Sequence, residues 1–312
     1  MNVKVAIRDA YGMALKELGG RNPDVVVLDA DVSNSSKSIL FGKEYPERFY
    51  NVGVAEANMA GMAAGMSTTG KIPFVNTFAA FMLLRAADPI RSLACYGNLN
   101  VKFAGTYAGL SDSYDGATHH TLTDIAFMRA VPRMTVVSVC DPVETKKAVD
   151  AIAEYDGPVY LRLSRAAMPT IFDEGYDFTL GKGAVVKEGT DVTVIATGYM
   201  VHKALEAAEQ LEDVGISVRV VNMHTIKPLD KELVVRCARE TKGIVTVEEH
   251  SIYGGLGSAV AEVVGSTARV PVEIIGVQDT FTESGDYETL LEKYGLSAEA
   301  IRQKVLQMAR YA

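Results

Sequence analysis

Cysteine is scarce in this 312-residue chain. Its three thiols, Cys95, Cys140 and Cys237, are far apart and odd in number. With no CxxC pair, neither a disulfide framework nor a zinc site is expected, and each thiol reads as a small buried apolar residue. Basic charge is in deficit: 31 Lys and Arg against 39 Asp and Glu leave a net charge of −8. That argues against non-specific nucleic-acid binding, although a few local arginines can still hold a small anion. No apolar run approaches the ~18 residues of a membrane span. The first stretch, MNVKVAIRDAYGMALKEL, is an amphipathic helix pattern without the apolar core and cleavage site of a secretory signal. A cytoplasmic protein that binds neither membrane nor nucleic acid is expected. Internal repeats and low-complexity tracts are also absent.

The length suits two ordinary domains, and 48% hydrophobic with 22% charged residues is a globular composition. Short β-branched runs alternate with longer amphipathic ones, the pattern of parallel sheets with crossover helices. Strands are expected near 24–30, 72–77, 100–106, 134–139 and 158–163, with helices near 3–18, 55–69, 78–93, 122–130 and 142–155. The strands are almost wholly apolar, as when helices cover both faces of a sheet. Residues 164–183 carry Pro, Gly and acids without periodicity and read as a linker that could run across a surface. A second series follows, with strands near 183–189, 191–198, 216–223, 243–249 and 272–277 and helices near 200–212, 230–240, 255–266 and 297–310. The fold class is α/β, two doubly wound domains with mainly parallel sheets, over 1–165 and 183–312 with the linker at 166–182.

Five stretches could carry chemistry. NVGVAEANMAGMAAGM, 51–66, holds a single acid, Glu56, at the start of an apolar helix and no cation to pair with it. A buried carboxylate needs a partner, yet Glu56 could also simply favour the positive end of its helix. Met59, Met62 and Met66 read as core, and the small residues around them would let another helix approach. In NTFAAFMLLRAADPIR, 76–91, Phe78 and Phe81 stand three apart on one helix face, either as core or as a shelf for a flat ring. GTYAGLSDSYDGATHH, 105–120, is a polar loop leaving a strand, where such folds bind ligands, and it gathers Asp115, His119 and His120. Adjacent histidines do not easily share one ion, so no metal site is expected there. LRLSR ends a strand on Arg165, a surface arginine or an anion contact. GGLGSA, within 247–264, is either a tight strand-to-helix turn or an anion cradle, and it matches no nucleotide motif.

Together these stretches resemble the thiamine diphosphate enzymes, and among them transketolase. The resemblance runs over essentially the whole chain and matches the C-terminal half of a full-length transketolase, a pyrimidine-binding domain followed by a C-terminal domain. VGVAEANMAG is similar to the segment carrying the cofactor-activating glutamate, PFVNTFAAF to the pyrimidine shelf, and DGATHH to the donor-site motif. LSR and TIKPLD, 225–230, are transketolase-like as well. The resemblance implies that Glu56 faces N1′ of the aminopyrimidine and favours its imino tautomer. Thiazolium C2 could then lose its proton and carry a two-carbon unit from a ketose phosphate to an aldose phosphate. It further implies that Phe78 and Phe81 stack on the ring and that Asp31 lies near the cofactor. Asp115 would contact donor hydroxyls, and His119 would stand near the reacting carbonyl. Arg8, Ser35 and Arg165 would contact the donor phosphate.

The sequence also departs from the family. Tyr107 stands where a phosphate-binding histidine is usual, Leu84 replaces a third shelf aromatic, Ser113 and Tyr114 alter the lead-in to the donor motif, and His120 replaces a glutamine. These departures bear on the substrate rather than the cofactor. The diphosphate and metal motif, which begins GDG and ends in Asn, is missing. The resemblance therefore implies a split enzyme: a separate N-terminal subunit bearing that motif would bind the diphosphate and Mg²⁺ or Ca²⁺, in an assembly with two copies of each chain. Alternatives are the β subunit of the first component of a 2-oxoacid dehydrogenase, the C-terminal half of a deoxyxylulose-phosphate synthase, and a non-catalytic α/β binding subunit.

Overall fold

The computed structural model describes residues 4–311, in two open sheets flanked by helices. The first sheet has seven strands, in the order Thr225–Lys227, Thr135–Ser138, Val159–Arg162, Lys102–Thr106, Ile72–Phe78, Val25–Asp29 and Phe49–Asn51. All neighbours are parallel except Thr225–Lys227, which pairs antiparallel with Thr135–Ser138. The second has five strands, in the order Val272–Val277, Ile244–Ser251, Val192–Ala196, Val218–Asn222 and Ala184–Lys187, the last antiparallel. Every residue of Val25–Asp29, Lys102–Thr106, Val192–Ala196 and Val218–Asn222 is buried. This is the reason their sequences show no polar alternation.

One apolar core is shared by both halves of the chain. Ile7, Tyr11, Val25 and Val139 from the first join Met200, Val218 and Leu296 from the second. The edge strand Thr225–Lys227 belongs by sequence to the second half but completes the first sheet, a pairing not apparent from TIKPLD. Lys227 Nζ secures it with a 2.8 Å bond to the Arg129 carbonyl.

Several local expectations need correction. Residue 3, where the sequence places the start of a helix, lies outside the described residues, and the helix runs from Ile7 to Arg21. Ahead of it, Val5–Ala6 pairs antiparallel with Ala167–Met168 inside the expected linker. That linker does not simply cross a surface. Asp141 Oδ2 accepts from Ile171 N at 2.7 Å and Phe172 N at 2.8 Å, and the Tyr176 hydroxyl donates to Glu144. These acids pin it because Asp141 caps the Pro142–Glu154 helix and lies at the seam between the halves. Phe78 ends a strand rather than entering a helix; the helix is Ala79–Pro89, followed by a π-helical turn at Ile90–Cys95. Pro89 offers no N–H to the helical ladder, and the hydrogen-bonding pattern changes just after it.

Candidate active site

Glu56 opens the Glu56–Ser67 helix and is only 3% exposed. Its partner comes from the next helix. Arg85 Nη1 donates to Glu56 Oε1 at 2.8 Å, while the guanidinium sits 4.0 Å over the Phe81 ring. The acid thus has a countercharge that its own stretch lacks. Its second oxygen, Oε2, takes no hydrogen bond from the described residues. One face of this helix, with Met59, Ala60, Ala63 and Ala64, is buried, whereas Met62 and Met66 are half-buried. Ala57 and Asn58 are exposed, and a side chain at Gly65 would meet nothing within 4 Å.

Phe78 and Phe81 do not share a helix face, yet they form one aromatic surface. Their centroids are 5.9 Å apart because the strand-to-helix corner at Phe78 turns its ring toward Phe81. His119 meets the Phe81 ring edge-on at 5.1 Å, and Tyr107 lies 4.5 Å from Phe78. Tyr107 holds a positive φ of 59°, at the carboxyl end of its strand where ligands gather in such sheets. Two arginines converge on it. Arg8 Nη1 donates to the Tyr107 hydroxyl, and Arg165 lies 5.2 Å over its ring. Arg165 also faces the buried Asp112, Nη1 to Oδ1 at 3.3 Å. Burial, and then the charge of Asp115, push the Asp112 carboxyl up to about 7. Asp112 Oδ2 and Arg8 Nε are buried without partners among the described residues. A connected path therefore leads from Glu56 through Arg85, Phe81, Phe78 and Tyr107 to a pair of arginines.

The remaining expected residues stand around this path or apart from it. Asp115 is exposed, its backbone N–H bonded to the Asp112 carbonyl at 3.0 Å. His120 is buried and points to Thr282, Nδ1 to Oγ1 at 2.6 Å, and burial lowers its pKa. Leu84 is 72% exposed and lines a cleft with His120 and Phe281. Ser35 lies in the short helix Ser33–Ser36, and Lys37, the residue that ends it, lies 3.4 Å from Asp9 of the Arg8 helix. Among the described residues no hydrogen bond joins Ser35 to the two arginines. Asp31 is exposed with a φ of 65° and accepts from Asn51 Nδ2 at 2.8 Å. Neither Ser35 nor Asp31 is drawn onto the path by a direct contact.

The GGLGSA cradle is already filled. Glu248 accepts from Leu256 N at 2.7 Å and Gly257 N at 2.8 Å, so an internal carboxylate takes the helix N-terminus that an external anion would need. The three cysteines are buried and unpaired, as their spacing suggests. No cluster of three or more metal-binding side chains is found among the described residues, and none of their helices is long and apolar enough to cross a membrane. Sequence reading missed Arg85 and Asp112. Arg85 had a usable signal, since it falls four residues after Phe81 on a helix; Asp112 had none, because its partner is 53 positions away.

The transketolase pyrimidine-binding domain model matches residues 3–170, and the transketolase C-terminal domain model matches 181–301. A transketolase C-terminal section from Methanocaldococcus jannaschii is 46% identical over 304 residues, covering 96% of this chain and 95% of its own. A 6-deoxy-6-sulfo-D-fructose transketolase subunit from Clostridium sp. strain MSTE9 is 44% identical over 295 residues, covering 95% and 92%. A split-gene transketolase solved as an inactive β4 tetramer superposes with a TM-score of 0.90 at 49% identity, covering 99% of both chains. An α/β pair with a pyrimidine-binding first half defines this class, and the chain belongs to the transketolase family. It is a transketolase subunit comprising the pyrimidine-binding and C-terminal domains. These relatives favour that reading over a 2-oxoacid dehydrogenase subunit, a deoxyxylulose-phosphate synthase half or a non-catalytic binding subunit.

Proposed function

We propose that this subunit carries the aminopyrimidine and sugar sides of a two-carbon ketol transfer, with an N-terminal subunit bearing the GDG…Asn motif supplying the diphosphate and Mg²⁺ side. The observation that carries the reading is the connected path from the buried Glu56 to the Arg8 and Arg165 pair. A carboxylate with one free oxygen beside a two-ring surface fits an aminopyrimidine, which offers a protonable ring nitrogen in plane and π-faces above and below. Glu56 is the acid toward that ring, held by Arg85, and Phe78 and Phe81 are its stacking surface. When bound, thiamine diphosphate supplies the nucleophilic carbon that carries the two-carbon unit.

The substrate roles follow the same path. His119, against the Phe81 edge, exchanges a proton with the reacting carbonyl oxygen in this reading, and Asp115 receives donor hydroxyls. Arg8, Arg165 and Tyr107 form the anion pocket for the far end of the donor, with Ser35 at its margin and Asp31 toward the cofactor. Two guanidiniums are groups suited to a phosphate, and the Tyr107 hydroxyl adds a further hydrogen-bonding group. The sulfo-sugar specificity named for one relative makes a terminal sulfonate a second anion to test. The proposed roles extend to an α2β2 assembly, sugar-phosphate interconversion as in pentose phosphate metabolism, and the cytoplasm, where three free thiols persist. Residues 1–165 and 183–312 are taken as the two functional domains, joined at 166–182.

Calorimetric titration of thiamine diphosphate with Mg²⁺ tests the division of labour. Binding only when the N-terminal subunit is mixed with this chain, and its loss with Glu56→Ala, are the expected results. Tight binding to this chain alone would overturn the split site.

A further inference from the structure

Glu249 projects from the second-sheet strand Ile244–Ser251 and reaches across the seam between the two halves, where it is 3% exposed. Its Oε1 accepts from Leu110 N at 2.5 Å, and its Oε2 accepts from the Tyr287 hydroxyl at 3.0 Å. Leu110 belongs to the loop that leaves the Lys102–Thr106 strand and carries Asp112, Asp115 and His119. The fit is close. Gly109 has a φ of 69°, and a Cβ there would lie 2.4 Å from Glu249 Cδ, so the loop comes this near only because residue 109 has no side chain. The contact passes directly to the anion pocket. Ser111, the next residue, turns its hydroxyl to the Ala108 carbonyl at 2.6 Å and accepts from Arg165 N at 3.0 Å. Further along, Gly285 N donates to the Ser113 carbonyl at 3.1 Å, so the second half grips the same loop again. The backbone of Glu249 is fixed in turn by Arg162, which donates to its carbonyl at 2.8 Å while paired with the buried Asp124.

We propose that Glu249 is a positioning residue that sets the conformation of the 108–115 loop, and through Ser111 the placement of Arg165, for donor binding. The consequence for donor binding rests on the anion-pocket reading above; the consequence for the loop does not. The bond from the Leu110 N–H to this side chain is buried, where a hydrogen bond is electrostatically stronger than in water. The C-terminal half thereby gives the substrate loop its shape without touching substrate.

Hydrogen exchange of the full chain, without partner or substrate, is the primary test. In Glu249→Ala the amides of 109–113 should exchange about tenfold faster, the scale of one lost hydrogen bond, while those of Val192–Ala196 stay unchanged. Glu249→Gln should restore protection, since its carbonyl oxygen still accepts from Leu110 N and its amide can donate to a rotated Tyr287 hydroxyl. Should Glu249→Ala not fold, Tyr287→Phe, which removes only the hold on Oε2, is read the same way. In complex with the N-terminal subunit, the Ala variant should raise donor KM about tenfold with kcat little altered, and the Gln variant should not. Unchanged loop exchange, equal acceleration throughout the second sheet, or a mobile loop with normal donor KM would each overturn the proposal. A complex with no ketol transfer for the wild type would defeat the functional reading instead and leave the exchange result standing.

Discussion

Arg85 and Glu56 come from different helices and meet at 2.8 Å, with the guanidinium of the pair 4.0 Å over the Phe81 ring. The cation therefore ties the acid to the aromatic surface. Arg85 is 47% exposed, so solvent screens part of the attraction even though Glu56 is buried. Urea unfolding of Glu56→Gln, Arg85→Met and the double variant should give a favourable coupling of at most about 1 kcal/mol. A coupling of zero would mean that the pair does not orient the carboxylate.

Catalysis should depend on Glu56 far more than folding does. Glu56→Gln keeps the size of the side chain and a carbonyl oxygen for Arg85 but removes the acid. Turnover of the assembled enzyme should fall at least ~10²-fold, the scale of lost acid–base assistance, with the unfolding midpoint nearly unchanged. Normal turnover would remove Glu56 from the proposed chemistry.

Arg8 and Arg165 flank Tyr107 from two elements distant in sequence. If they bind the unreacting end of the donor, their loss is felt equally in ground state and transition state. Arg8→Ala and Arg165→Ala should each raise donor KM about 10- to 100-fold with smaller effects on kcat. A truncated donor lacking the anion should respond little to either change.

Glu144 offers a pH test independent of function. It is buried at the seam, where it accepts from Cys140 N and from Asn222 Nδ2, both at 2.7 Å. Burial pushes its carboxyl from 4.5 up to about 7. The folded state then binds a proton that the unfolded chain has released. The contribution of this group is complete below about 4.5 and is lost as pH rises to about 7. Glu144→Gln should therefore gain stability relative to wild type between about pH 5 and pH 8, on the order of 1–3 kcal/mol. An amide flip of Asn222, whose Oδ1 is otherwise unpartnered, accommodates the new donor. Parallel pH profiles for the two proteins would contradict the assignment.

Much of this architecture was legible in the sequence because parallel strands and their helices announce themselves locally. The buried runs VVVLD and VTVIA and the amphipathic Met200–Glu212 stretch needed no tertiary information. Glu56 was singled out for a similarly local reason, as one acid in an apolar helix. What was hidden depends on contacts between distant positions. Arg85 was in plain view in a quoted stretch, but its pairing with Glu56 required the packing of two helices. Glu249 and Glu144 looked like ordinary acids, and only the seam between the halves makes them buried ligands of backbone and side-chain donors. The corner at Phe78 was read as helix because the apolar spacing continues across it. The glycines of GGLGSA invited an anion that Glu248 already provides.

The three residues Thr225–Lys227 bind the fate of one half to the other. They close the edge of a sheet built otherwise from residues before 163, so a break between the halves would bare the backbone groups of Thr135–Ser138 to any passing strand. Cut near residue 170, the first half would keep its sheet but lose its covered edge, a ready template for pairing with another chain.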